Sequence, residues 1–388
     1  GKIQQRKQSR YMKNWFNKDL LEVFLLFAAW RIWITVFALI GIIYMPLYSR
    51  DLLGGSIDNY ISSPIFWGWA NFDGEHYTSI AQYGYKDLQH SFFPFYPTAI
   101  KLLTPAKTLT NLNLTGLIIS NLSFLLSLYF FRKLVVENFG TKYARTAILS
   151  LLVFPTSFYF GSLYTESLFL LGLILSFYLA EKNLVLATVF SSVASATRIQ
   201  GVFLLPSFFS RVIFNKKKSY LLPGIASLGG LLIYLYFLKS STGDFLTFYN
   251  DLTPFGQQRE IGKLILLPQV FWRYIKMLAT VDRSSWIYLT ISMEFITGIL
   301  GLWLLVWGYI KKLHPSYLIF ALLSCVLPTL SGSLSSFPRY FVVIFPYFIL
   351  LGGILSSIPA FWRVSVFALS TTLLALQTML FVSGFWVA

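Results

Sequence analysis

Cysteine occurs once in the 388 residues, at Cys325, so neither a disulfide framework nor a cysteine-rich metal site is available. Charge is scarce as well. Asp, Glu, Lys and Arg make up 12% of the chain, about half the share of an ordinary soluble protein. Acid is scarcer than base, with 15 Asp and Glu against 31 Lys and Arg and a net charge of +16. The apolar stretches are continuous and lack the apolar/polar alternation of a membrane β-barrel, which excludes that class.

What the chain has instead is apolar length. It is 56% hydrophobic and 19% aromatic, and stretches near the roughly 20 residues of a bilayer crossing recur along it. The sequence therefore predicts an all-α polytopic membrane protein in one integral unit over 1–388. Full spans are expected near 20–45, 113–131, 146–162, 164–181, 219–239, 286–310, 315–333, 339–357 and 362–385, about nine in all. The first run, LLEVFLLFAAWRIWITVFALIGIIYM, is long enough to stay in the membrane, and no cleavable signal peptide is expected.

The location of the positive charge decides what it means. Lys and Arg cluster in GKIQQRKQSRYMKNWFNK, between Arg132 and Arg145, in NKKK at 215–218 and at Lys311 and Lys312. These groups alternate with apolar spans, as orientation signals beside anionic lipid do, and no nucleic-acid partner is expected. With the N-terminus in the cytoplasm, two long polar-aromatic segments, 46–112 and 240–284, fall on the outer face. Residues 184–214 fit no single crossing. Two apolar pieces, LVLATVFSSVASA and GVFLLPSFFSRVIF, flank TRIQ, and each is about 14 residues, roughly 21 Å of helix against about 30 Å of hydrocarbon. Two paired half-membrane helices are expected, with Arg198 at their buried turn, where an ionised side chain marks a functional site or a structural ion pair. Arg31, in the first span, is expected to snorkel along Trp30 and Trp33.

Against this apolar background the stretch FDGEHY at 72–77 gathers two carboxylates and an imidazole. After Asp73 the residues Tyr77, Ile80, Ala81 and Tyr85 recur at helical spacing, predicting an outer-face amphipathic helix with Asp73 at its N-terminal end, either as an N-cap or as chemistry. FFPFYP at 92–97 follows, two prolines stiffening an aromatic wall that suits an amphiphile with a sugar head, or an interface belt. Glu166, Glu294 and Arg339 are aimed at the same outer layer from distant parts of the chain, and an Arg there suits a lipid-linked phosphate.

The blocks DGEHYTSIAQYGY, FFPFYP, PTSFYFGSLYTES, SATRIQG and FPRY, in this order over about residues 20–350, resemble the PIG-V mannosyltransferase family and its prokaryotic relatives, which are GT-C membrane glycosyltransferases. Phe72 stands where Trp often precedes the family's Asp. The resemblance implies a GT-C fold. It also implies transfer of mannose from a polyprenyl or dolichyl phosphate to a glycan or glycolipid acceptor on the extracytoplasmic face. The membrane would be the cell membrane of a prokaryote or the endoplasmic reticulum of a eukaryote. Asp73 matches the acidic catalytic residue of the first outer loop.

Moving a sugar from phosphate to hydroxyl needs one base, because phosphate leaves without a proton, whereas a glycosidase needs two carboxyl groups. Asp73 is the expected base and inversion the expected outcome. Glu75 or Glu166 would assist or bind acceptor, His76 would orient acceptor or base, and Arg198 and Arg339 would stabilise the departing phosphate. Tyr77 and Tyr340 complete the candidate substrate-binding set. No metal or other cofactor is expected, since Asp73, Glu75 and His76 crowd one turn with His90 as the only further imidazole nearby. The alternative class is a transporter or flippase, whose half-helices and buried charges would line a path. No internal repeat supports it, and the polar chemistry gathers at one face.

Overall fold

A computed structural model describes residues 2–49, 51–251 and 265–387, with side chains from residue 18 onward. Residues 252–264 of the expected second outer loop, and the side chains of the N-terminal basic cluster, lie outside the described residues. Among the described residues the chain is helix and turn, with no strand.

Helix α1 (Lys2–Tyr44) carries the first apolar run. The segment expected as the first outer loop then folds into short helices, Ile57–Ser62, Pro64–Trp67, α2 (Asp73–Tyr83) and Phe95–Leu103. Helix α3 (Leu109–Phe139) follows, opened by Thr108, whose hydroxyl accepts from the Asn111 amide. Next come α4 (Thr141–Leu152), α5 (Glu166–Leu179), α6 (Leu184–Thr197) and α7 (Leu204–Asn215). The C-terminal part holds α8 (Trp286–Ile310), α9 (Pro315–Thr329), α10 (Phe337–Val342), α11 (Phe345–Ser357) and α12 (Ala360–Val382).

Five helical stretches are long and apolar enough to cross a membrane: Lys18–Tyr44, Leu109–Phe139, Lys218–Thr242, Trp286–Ile310 and Ala360–Val382. They match five of the nine expected spans. The other four are shorter or broken for local reasons. The expected 146–162 span stops at Leu152, because Pro155 lacks a backbone N–H and disfavours helix at the residue before it. The expected 339–357 span is split between α10 and α11, with Pro346 in the first turn of the second piece. Helix α5 has 14 residues and α9 has 15.

Residues 184–215 form two helices that meet at Arg198. Asn183 caps α6 by accepting from the Leu186 amide at 3.1 Å. After Thr197 the chain turns through the short 3₁₀ segment Ile199–Phe203 into α7. Gly201 is needed at this turn, since a Cβ there would lie 2.3 Å from the Ser195 amide. The outer ends of the pair return to one another, and Lys217 Nζ lies 3.1 Å from Glu181 Oε2.

Helices α1 and α12 lie side by side and run in the same direction. Gly41 packs on Met379 towards one end, while Glu22 and Arg363 share a cavity at the other. The first loop is fastened to the far end of α12 through Asn71, whose Nδ2 donates to the Phe381 carbonyl at 3.0 Å and whose Oδ1 accepts from the Gly54 amide at 3.0 Å. Tyr164 adds a 2.8 Å hydrogen bond to the Asn71 carbonyl, and the Leu163 amide donates to the Trp69 carbonyl at 2.9 Å. Arg31 does not snorkel outward. It donates to the Gly161 carbonyl at 2.9 Å and lies over the Trp69 ring.

The return of the 184–215 pair predicts that Lys182 and Lys217 face the same side of the membrane. With Cys325 replaced by Ser, single cysteines at 182 and 217 should react with an impermeant thiol reagent from the same side of sealed vesicles. Labelling from opposite sides would show that the pair crosses instead of returning.

Candidate active site

Four side chains from four parts of the chain converge beyond the shared end of α1 and α12. Asp73 begins α2, Glu166 begins α5, Arg198 stands at the break after α6, and Arg339 lies in α10. Glu166 is 0% exposed. Its Oε1 accepts from Arg198 Nη1 at 2.5 Å and from Arg339 Nε. Arg339 Nη1 also reaches Asp73 Oδ2 at 2.5 Å. Two carboxylates therefore face two guanidinium groups, and the cluster is close to neutral as a whole. Nη2 of each arginine makes no hydrogen bond among the described residues.

The helix starting at Asp73 is as expected, but the Asp73 carboxylate does not cap it. It points to Arg339, and the residue before it, Phe72, supplies no side-chain cap. Phe72 sits at φ 59°, a region that bulky residues rarely enter. Its ring wedges against Phe381 and Trp386, and its amide donates to the Leu52 carbonyl at 2.7 Å. Leu52 (φ 56°) and Ser336 (φ 63°) also have positive φ, and all three residues line one cavity. Backbone held in sparsely populated regions clusters at functional sites.

That cavity has a volume of about 1000 Å³. Asp73, His76, Tyr77, Arg198, Arg339 and Tyr340 line it, so six of the eight residues expected at the site open onto one space. Glu166 is not at the wall. It lies behind the arginines as their common counter-ion. Glu75, half-buried on the same helix as Asp73, is outside the lining too, and burial pushes its carboxyl up from the usual range.

Part of the wall is aromatic. Phe92 and Phe93 line the cavity, and Phe92 stacks on His76 with ring centroids 4.7 Å apart. His76 Nδ1 accepts from Gln89 Nε2 at 3.4 Å. Burial pulls its pKa below the usual value, partly offset by the charge of Asp73. Tyr77 packs edge-on against Phe92 and Tyr96, and burial, followed by Asp73, pushes its hydroxyl pKa up. Tyr96 is fully buried behind the wall, and Phe95 is not part of the lining.

Several contributors escape a reading of motif carboxylates and arginines. Gln200 accepts from Arg198 Nε at 3.1 Å and Thr165 Oγ1 lies 3.4 Å from its Nη1, and both line the cavity. They lie inside the TRIQG and YTES blocks, where hydrogen-bonding side chains next to a buried Arg were the available signal. Phe248 and Tyr249, from the second loop, also line the cavity. That loop is fastened to the first by Asp251, whose Oδ2 accepts from the His90 amide at 3.0 Å and lies 2.8 Å from His90 Nδ1. No sequence spacing announces a pair so far apart. Glu294 is buried one layer back, accepting from the Ser336 amide at 3.0 Å and from the Tyr274 hydroxyl at 2.7 Å. It thereby holds the left-handed residue that starts α10. Among the described residues no cluster of metal-binding side chains occurs.

Residues 18–221 match the family described as Mannosyltransferase (PIG-V). The chain belongs to this family. A search of curated proteins finds no match. Among solved structures, the crystal structure of ArnT from Cupriavidus metallidurans bound to undecaprenyl phosphate is similar, with a TM-score of 0.52 and 15% identity over 93% of this chain and 76% of that one. The apo oligosaccharyltransferase of Archaeoglobus fulgidus is similar at a TM-score of 0.50 and 14% identity, over 97% of this chain and 57% of that one. Both are GT-C glycosyltransferases, and at these identities the likeness is one of fold. This PIG-V family member is thus an integral membrane protein with GT-C neighbours.

The geometry makes Glu166 structural in the first instance. Glu166→Gln removes the carboxylate that compensates two buried arginines, and should destabilise the protein by about 3–5 kcal/mol. Asp73→Asn, at a side chain that is 21% exposed, should cost clearly less. Thermal unfolding of the detergent-solubilised variants checks the order, and equal losses would remove Glu166 as the hub of the cluster.

Proposed function

We propose that the chain transfers a mannosyl group from a polyprenyl or dolichyl phosphate sugar to a hydroxyl of a glycan or glycolipid acceptor, in one inverting displacement with Asp73 as general base. The observation that carries this reading is the shared cavity of Asp73, Arg198 and Arg339 in a chain of a mannosyltransferase family. A carboxylate supplies the base, guanidinium groups meet the departing phosphate, and the aromatic wall of Phe92 and Phe93 suits a sugar face. The undecaprenyl phosphate named with the ArnT structure supports a lipid phosphate as the donor's anchor.

The ion pair between Asp73 and Arg339 gives the reaction an order. While it holds, the Asp73 carboxylate is engaged by the guanidinium and not by an acceptor hydroxyl. An arriving phosphate competes for the same guanidinium. Arg339 turns towards the phosphate oxygens, still tied to Glu166 through Nε, and the Asp73 carboxylate is released to meet the acceptor hydroxyl. In the displacement the acceptor oxygen bonds to the anomeric carbon, the bond from that carbon to the phosphate oxygen breaks, and the acceptor proton passes to Asp73. Glu166 acts through the arginines, while His76, Tyr77 and Tyr340 contact the sugar or acceptor. No step requires a metal ion.

The same reading assigns the membrane topology. The cavity faces the extracytoplasmic side, in the cell membrane of a prokaryote or the endoplasmic reticulum of a eukaryote. Residues 184–214 act as paired half-membrane helices that bring Arg198 up from the cytoplasmic side. The basic groups at Lys182, Lys216 to Lys218 and Lys311 support this orientation.

Asp73→Asn keeps shape and most hydrogen bonding but cannot accept the proton. Transfer of mannose from polyprenyl or dolichyl phosphate mannose should fall by about 10²–10⁴-fold, with donor binding retained and wild-type activity surviving a chelator. A β-linked donor should give an α-linked product, read by NMR. Near-normal turnover would remove Asp73 as base, and a retained β linkage would reject single displacement.

A further inference from the structure

A second cavity of about 610 Å³ opens at the opposite end of α1 and α12. Its lining carries four cationic side chains, Arg132, Lys142, Arg145 and Arg363, against the single carboxylate of Glu22. Arg132 is buried and already satisfied. Its Nη2 lies 2.7 Å from Asp19 Oδ1 and 2.9 Å from Glu22 Oε2. Those two acids are spent on it, and Arg145 reaches Glu22 only at 3.6 Å with 70% of its side chain exposed. Among the described residues neither Lys142 nor Arg363 has a carboxylate within ion-pair distance. The cavity therefore holds uncompensated positive charge over a rigid buried ion pair. The 12-residue helix α4 begins here after Gly140, with no side-chain cap on its first turn, and its dipole adds to the positive field.

The lining changes character along the helices. Lys142 and Leu149 are two turns apart on α4, Arg363 and Phe367 one turn apart on α12, and in each case the apolar residue lies further from the basic end. Charge at the mouth and apolar surface one or two turns deeper suit an amphiphile rather than a soluble anion. Phe361 and Trp362, 72% and 62% exposed, flank the same helix end as interface aromatics do. Arg363 and Phe381 are 18 residues apart on α12, about 27 Å of helix, so this cavity stands nearly a hydrocarbon thickness from the candidate active site.

We propose that this cavity binds the phosphate headgroup of an anionic phospholipid in the leaflet opposite the candidate active site. Lys142, Arg145 and Arg363 hold the phosphate, and the acyl chains leave along Leu149 and Phe367. The site is separate from the proposed transfer chemistry and uses none of its residues.

The test uses the full-length protein in detergent and native mass spectrometry with three probes: dihexanoyl phosphatidylglycerol, dihexanoyl phosphatidylcholine and glycerol 3-phosphate. Phosphatidylglycerol should bind most tightly. The triple variant Lys142→Gln, Arg145→Gln, Arg363→Gln should lose roughly a hundredfold in that affinity, about fivefold for each basic side chain at the membrane surface. Unfolding in lipid-free detergent confirms that the variant is folded. Should it unfold, Arg363→Gln alone should lose about fivefold and Arg363→Lys should recover most of it. Equal affinity of wild type and variants for phosphatidylglycerol, or equal binding of phosphatidylcholine, overturns the proposal. Glycerol 3-phosphate binding as tightly as the lipid also overturns it, in favour of a soluble phosphate.

Discussion

A carboxylate with no exposure to solvent needs cationic partners, and Glu166 finds two. An unpaired charge at such depth costs several kcal/mol, so the segments bearing Arg198 and Arg339 are held where Glu166 can reach them. The break between α6 and α7 and the short helix α10 are thereby fixed against the start of α5. Asp73 joins through Arg339, which brings the first loop into the same network. Removing one member disturbs three distant parts of the chain, because the same few oxygen and nitrogen atoms serve all of them.

The first loop is oriented by a second set of contacts. Asn71 satisfies backbone groups of Gly54, Phe381 and Val382, and Tyr164 closes on its carbonyl. These bonds lie next to Phe72, whose positive φ would otherwise relax. On the other side of the cavity Glu294 performs the same task for Ser336. Phe72 is followed directly by Asp73, and Ser336 three residues on by Arg339. The rigid support lies in neutral or single-acid contacts, and the charged side chains are left to meet whatever enters the cavity.

Much of this was legible in the sequence. Continuous apolar runs announced a helical membrane protein, and the period after Asp73 announced α2. The isolated charges Glu166, Arg198 and Arg339 were legible as site candidates because charge is so rare here. Their mutual pairing was not, since residues 73, 166, 198 and 339 are brought together by packing that no local period encodes. Helix continuity was overestimated for the same reason in reverse: hydropathy registers apolar residues, and the stretches around Pro155 and Pro346 stay apolar while the backbone leaves the helix. Glu75 was expected to assist Asp73 or bind acceptor, yet it is not in the cavity lining, since two residues along a helix turn a side chain by about 200°, away from the neighbour's direction.

The brevity of α6 has a physical consequence for the surrounding lipid. Its 14 residues carry the chain only about 21 Å from the charged turn at Lys182 before Arg198 is reached. On the proposed topology, with Lys182 at one interface of a hydrocarbon layer of about 30 Å, the Arg198 backbone would lie roughly 9 Å short of the other. On that topology a lipid headgroup would meet this arginine through the reach of its side chain together with a dimple of the bilayer or a sinking of the headgroup. Either deformation becomes harder as acyl chains lengthen, so on the proposed topology hydrophobic mismatch would tie access to the cavity to the thickness of the host membrane.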